Sequence, residues 1–181
     1  MYSSRIIIIS GPPGAGKSSI SRKLAEKSVS EQAIHMHTDD FYNYIRKGYI
    51  PPWLPEAGEQ NTVIIESIIA SVARLASGGY EVIVDGVLGP WFVEPWLELA
   101  QIGFDVRYII LRPSKQVTIA RATARKEANA LTDVNAVTDM WQLFSDLGLY
   151  ESHVIDTSNQ SAEETVALIL RLLNDNAMRI E

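Results

Sequence analysis

The chain has 181 residues, 46% of them hydrophobic and 21% charged, and a formal net charge of −6 at pH 7. That length suits one domain, or one domain with a small lid, and an acidic balance of this kind is not that of a nucleic-acid or membrane-surface binder. Cysteine is absent, which excludes disulfides, zinc–thiolate sites and thiol catalysis and suits a cytoplasmic location; no apolar run is long enough for a membrane span or a signal peptide.

Ile6 to Ile9 form a continuous apolar run, the pattern of a strand buried on both faces. It runs into Gly11-Pro12-Pro13-Gly14-Ala15-Gly16-Lys17-Ser18, which fills every fixed position of the phosphate-binding pattern G-x-x-x-x-G-K-[S/T]. Glycines let such a loop turn tightly and aim backbone N–H groups at phosphate oxygens. A helix is expected from about Gly16, with Ile20, Leu24 and Ala25 carrying its pattern, and its positive dipole end favours the same anion. Lys17 is placed to reach the β- and γ-phosphates and the Ser18 hydroxyl to ligate Mg2+. The loop from Gly11 through Ser19 therefore predicts a nucleoside triphosphate site, with ATP and Mg2+ as cofactors.

Ala33 to Thr38 predicts a second strand, ending in Asp39-Asp40. A short helix over Phe41 to Lys47 is expected next, then an irregular stretch from Gly48 to Gln60 whose three prolines and two glycines argue against regular structure. From Asn61 the spacing of Ile65, Ile68, Ile69 and Val72 predicts a helix that Gly78-Gly79 ends. Tyr80 to Val84 reads as the third strand, closing at Asp85-Gly86, and Val93 to Gln101 as a helix. Asp105 to Leu111 is the fourth strand, and Pro113 opens a helix expected to run through Arg121 and Arg125. Another helix is expected between Asp133 and Leu147, and Tyr150 to Ile155 reads as the fifth strand. Ser161 is placed to cap a last helix whose Val166, Ile169, Leu170 and Leu173 share one face. His35 and His37 share a face of the second strand; with no third ligand in view, a core or surface role is expected rather than a metal.

Short strands alternating with helices imply parallel β-α-β units with right-handed crossovers, a three-layer α/β fold. Ligands of such sheets sit beyond the carboxyl ends of the strands, which puts the phosphate loop, Asp39-Asp40 and Asp85 on one rim.

On these features the chain resembles the P-loop small-molecule kinases built like nucleoside monophosphate kinases: shikimate kinase, gluconate kinase, chloramphenicol phosphotransferase, the zeta toxins and the polynucleotide 5′-kinases. The resemblance implies one P-loop NTPase domain over residues 1–181 with a five-stranded parallel sheet in order 2-3-1-4-5, a substrate loop at about 41–60 and a small helical lid at about 121–135. It implies that Asp39 takes the proton of the acceptor hydroxyl, with Asp40 as the alternative base or a helper. Asp85 resembles a carboxylate that serves the Mg2+ or orients substrate. Arg121 and Arg125, four residues apart, resemble lid arginines that neutralise the transferring phosphoryl group. Asp156-Thr157-Ser158 is similar to the loop that touches the adenine. Phe41, Tyr42, Arg46, Trp53 and Trp91 are candidates for the acceptor pocket by position alone.

The leading expectation is thus phosphotransfer from MgATP to a hydroxyl of a small molecule. A second keeps the chemistry but makes the acceptor a nucleic-acid end or a nucleotide sugar; the net acidity counts against a nucleic acid. A third is a nucleotide-binding switch or slow ATPase with no phosphate acceptor. The chain is too short for the extra helical domain of a full AAA+ motor.

Overall fold

The computed structural model describes residues 4–126 and 131–181. Four consecutive isoleucines form the heart of the first strand, β1 (Arg5–Ser10), because a parallel strand covered on both faces needs no polar side. Ile6 and Ile8 pack into one core layer and Ile7 and Ile9 into the other. The remaining strands are β2 (Ala33–His37), β3 (Glu81–Asp85), β4 (Asp105–Leu111) and β5 (Val154–Ile155). Together they make a five-stranded parallel sheet in the order β2-β3-β1-β4-β5, as the resemblance implies.

Helices α1 (Lys17–Glu26) and α7 (Ala162–Asn174) cover one face through Ile20, Leu24, Val166 and Ile169. Helices α3 (Gly58–Ser77) and α4 (Glu94–Gln101) cover the other through Ile68, Val72 and Trp96. Short α2 (Thr38–Asn43) follows β2 directly, and α5 (Lys115–Thr123) and α6 (Val134–Leu143) lie between β4 and β5. The Ser161 cap is a full capping box, with Glu164 returning the bond. Among the described residues no helix is long and apolar enough to cross a membrane.

Several boundaries differ from expectation. Helix α2 starts at Thr38, not Phe41, because Asp39 and Asp40 in its first turn complement the helix dipole. The stretch from Gly48 to Gln60 is not wholly irregular: Pro55–Ala57 is a 3-10 turn leading straight into α3 at Gly58, since proline is tolerated at a helix start. Helix α5 ends at Thr123, so Arg125 lies beyond it and does not share its face with Arg121. Helix α6 stops at Leu143, and the fifth strand is only two residues long. A 3-10 turn over Gly148–His153, opened by Gly148 at φ 56°, takes up the rest of the expected strand. There the His153 ring donates to the Tyr108 carbonyl at 2.8 Å. Of the expected lid, residues 127–130 lie outside the described residues.

The rim of the sheet is held tightly where β2 turns into α2. A Cβ on Gly86 would stand 2.2 Å from Thr38 Oγ1 and 2.8 Å from its Cγ2, so Gly86 lets the β2–α2 turn close over the end of β3. Gly86→Ala is expected to destabilise the fold by about 1–3 kcal/mol through overpacking. The double variant Gly86→Ala/Thr38→Ala, which removes the two closest atoms, should recover part of that loss in urea melts. No recovery would mean that the turn is not set by this contact.

Candidate active site

The loop between β1 and α1 is held down by its own glycines. A Cβ on Gly11 would lie 2.2 Å from the Leu111 carbonyl oxygen, and one on Gly14 would lie 2.6 Å from the Thr118 carbonyl oxygen. These two glycines therefore serve close packing against β4 and α5 as well as loop conformation. Gly16, at φ 92°, caps α1 with no side-chain hydrogen bond. The first N–H groups of α1 thus have no side-chain cap and suit an anion. Lys17 is buried at 9% exposure, and its Nζ donates to the Pro12 carbonyl at 3.0 Å. Burial lowers its pKa to about 8 against the raising charges of Asp85 and Asp39, and the Arg125 charge adds to the lowering.

The end of β3 supplies the centre of the site. Asp85 is 0% exposed, and a carboxylate so buried stays ionised only when donors replace its water. It sits in register between Ile9 of β1 and His37 of β2. Ser18 donates its hydroxyl to Asp85 Oδ2 at 2.8 Å, His37 Nδ1 donates to the same oxygen at 2.9 Å, and His35 Nε2 donates to Oδ1. Burial alone would raise the Asp85 pKa; the bonds from His35, His37 and Ser18 and the charge of His37 outweigh it and hold the carboxyl well below its usual range.

On its other side, His37 Nε2 lies 3.3 Å from Asp39 Oδ2. The bonds to Asp39 and Asp85 raise the His37 pKa to about 10, against burial. The same bond lowers the pKa of Asp39, also against burial. The Asp39 side chain is 68% exposed, so it is ionised and open where Asp85 is ionised and sealed. Asp40 is exposed and has no hydrogen-bond or ion-pair partner among the described residues. His35 and His37 are thus neither plain core nor plain surface. The clue was an H-x-H on one strand face, next to a strand ending in aspartate.

Around this centre the expected residues divide. Arg121 Nη2 donates to the Thr157 carbonyl at 3.2 Å, bracing the turn after β5. In that turn Asp156 accepts from the Ser158 backbone at 2.8 Å, Ser158 Oγ accepts from the Ser114 N–H at 2.8 Å, and the buried Thr157 hydroxyl has no partner among the described residues. Tyr42, its pKa pushed up to about 12 by burial and the Asp39 charge, donates to Asn61 Oδ1 at 3.0 Å. Asn61 donates in turn to the Pro52 carbonyl, and Gln60 both accepts from and donates to the Ile50 backbone. Sequence reasoning missed these anchors of the 48–60 stretch, along with Arg112, which holds Glu151 with two bonds at 2.7 and 2.8 Å.

Arg46 and Trp53 are exposed and have no hydrogen-bond or ring partner among the described residues, while Trp91 meets Phe144 edge-on at 5.5 Å. An open hollow of about 430 Å3 lies between Ile45–Ile50 and the start of α3, but none of Lys17, Asp39 or Asp85 lines it.

The donors present suit a nucleotide and a hard cation. An uncapped helix start offers N–H groups to a ligand, and a hydroxyl beside a carboxylate, Ser18 and Asp85, is the oxygen chemistry that Mg2+ takes. Lys17 gives a direct test of the burial. Its pKa is about 8 in the folded chain against an ordinary 10.5, so the folded state binds fewer protons between those values and stability rises with pH there. Lys17→Met, which removes the buried ammonium, is expected to melt above wild type at pH 7, with the gain gone by pH 10.5. A variant that melts below wild type at pH 7 would contradict this.

Comparison with known proteins agrees with the geometry. No curated protein matches the chain. Among solved structures, the tunicamycin resistance protein of Deinococcus radiodurans is 16% identical, with 98% of this chain and 99% of that one covered and a TM-score of 0.68. A sugar kinase from Janibacter sp. HTCC2649 is 19% identical over 96% of this chain and 98% of that one, with a TM-score of 0.71. A gluconokinase from Sinorhizobium meliloti 1021 is 18% identical over 96% and 95%, with a TM-score of 0.63. At such identities the likeness carries the P-loop, kinase-like fold. Residues 6–147, most of the sheet and the whole of the loop, Ser18 and Asp85 constellation, match the family described as AAA domain, and the chain belongs to that family, AAA_33.

Proposed function

We propose that the protein transfers the γ-phosphoryl group of MgATP to a hydroxyl of a small molecule. The observation that carries this reading is the pairing of a sealed and an open carboxylate beside one buried lysine: Asp85 and Asp39 both act on the charge of Lys17, yet only Asp39 faces solvent. A nucleotide switch that only binds has no need of an open, ionised carboxylate at that point. An alcohol acceptor does, because its proton must go to a base within hydrogen-bond reach. The sugar kinase and gluconokinase folds support a small acceptor, and the net charge of −6 does not favour a nucleic acid.

In this reading the backbone from Gly11 to Ser19 cradles the phosphates and Lys17 leaves the Pro12 carbonyl for them. Ser18 would hold the Mg2+, with Asp85 behind it orienting the Ser18 hydroxyl and adding negative charge. Bound MgATP supplies the phosphoryl group and a cation that offsets its developing charge. Asp39 orients the acceptor hydroxyl and takes its proton; its depressed pKa suits a base that accepts late, once the oxygen is already bonding to phosphorus. Asp40 has no comparable support. Arg125, whose charge is felt at Lys17, is the better placed of the two arginines to neutralise the moving phosphoryl group. Arg121 braces the Asp156–Thr157 turn, which would meet the base of the nucleotide. Tyr42, whose phenol feels the Asp39 charge, would lie on the acceptor side, with Trp91, Arg46 and Trp53 as further candidates.

Asp39→Asn tests the reading, since the amide can still hydrogen-bond but cannot take a proton. In a screen of sugars, polyols and aminoglycoside-like alcohols read by ADP release, wild type should turn over at least one acceptor. Asp39→Asn should lower kcat for it by roughly 10²–10⁴-fold with MgATP affinity nearly unchanged. Near-normal kcat in Asp39→Asn with loss in Asp40→Asn would move the base by one residue, and no loss in either would favour the switch.

A further inference from the structure

We propose that His37 is a positioning residue that ties the open carboxylate Asp39 to the sealed carboxylate Asp85, so that the acceptor side and the metal side of the site are held by one imidazole ring. The inference rests on the phosphotransfer reading for its purpose, but its geometry is independent of it. His37 is the last residue of β2 and pairs in register with Asp85 at the end of β3. The contact between Gly86 and Thr38 presses the following turn onto the end of β3. That turn brings Asp39, two residues on, back to the far nitrogen of the same ring. Nδ1 then lies 2.9 Å from Asp85 Oδ2 and Nε2 lies 3.3 Å from Asp39 Oδ2.

Nδ1 donates a hydrogen bond to Asp85, and the ion pair of Nε2 with the ionised Asp39 needs a proton on that nitrogen too. The ring is therefore a cation between two anions that would otherwise repel each other. The division of labour at Asp85 is also specific. His35 takes Oδ1, while His37 shares Oδ2 with the Ser18 hydroxyl, the group placed to hold the cation. A shift of His37 would therefore be felt at Ser18 as well as at Asp39. The exposed Asp39 side chain has no other hydrogen-bond or ion-pair partner among the described residues, so the ring is its one polar anchor there. His37 itself need touch neither phosphate nor acceptor.

Two amide replacements separate the arms of the bridge. Asn can place an N–H near the position of Nδ1 but cannot reach Asp39; Gln can place one near Nε2 but gives up the Asp85 bond. The Asp39 carboxyl carbon resonance at pH 7, identified by its absence in Asp39→Asn, reports one arm, and calorimetric titration with MgATP reports the other. His37→Asn is expected to move the Asp39 resonance while leaving MgATP affinity within about twofold. His37→Gln is expected to leave the resonance in place while weakening MgATP about tenfold, the size of effect seen when a group orienting a metal ligand is lost. If both variants change both readouts together, in step with a fall in Tm, His37 is only structural. If neither changes either readout, there is no bridge. Should wild type fail to bind MgATP at all, the phosphotransfer reading falls, and the Asp39 resonance still decides whether the ring holds that carboxylate.

Discussion

A buried, ionised carboxylate at the rim of the sheet sets the terms for everything around it. Asp85 has no exposed surface, and removing such a charge from water costs several kcal/mol unless donors replace the solvent. Those donors come from two directions: Ser18 from the first turn of α1, and His35 and His37 from β2. Meeting them aligns β2 on β3 and draws the start of α1 over the strand ends. It also places Asp39 beside the phosphate loop. The four-isoleucine strand supplies the rigid floor against which this is done, because each face of β1 is filled by a separate core layer. Functional geometry and fold are thus coupled through one side chain.

The same arrangement explains how two aspartates on neighbouring strand ends can differ in chemical role. Asp85 spends its lone pairs on protein donors and is closed to an acceptor. Asp39 makes one ion pair with the chain and keeps most of its surface in water. Environment, not residue type, divides the labour between them, in the way that paired carboxylates are commonly separated in active sites. The buried Lys17 lies under the influence of both. Its only hydrogen-bond acceptor among the described residues is a backbone carbonyl of its own loop, which a phosphate can replace without uncovering a structural ion pair.

Much of this was legible in the residues. The glycines, Lys17 and Ser18 state the phosphate loop outright, and the apolar run before them states the strand. Asp105–Leu111 and the Ser161 cap were readable because a mainly apolar, β-branched run and a capping box are local signals. The strand order came from resemblance, since periodicity carries no information about which strands are neighbours. What could not be read depended on contacts between distant segments. Lys17 could be assigned to the phosphates, but its burial is a property of the packed loop. The fifth strand looked longer because Tyr150–His153 follows strand-like composition, whereas Gly148 and the His153–Tyr108 bond turn it into a 3-10 segment. His35 and His37 could be placed on one face, but only the β2–β3 register shows that this face meets Asp85.

The central claim is that Asp85 and Ser18 together form the metal side of a nucleotide site. It is tested most directly by calorimetric titration of ATP into wild type and Asp85→Asn, with and without Mg2+. Wild type is expected to bind ATP more tightly when Mg2+ is present, and Asp85→Asn to bind ATP with that Mg2+ dependence largely lost. Equal Mg2+ dependence in the two proteins, or no ATP binding by a folded wild type, would contradict the account.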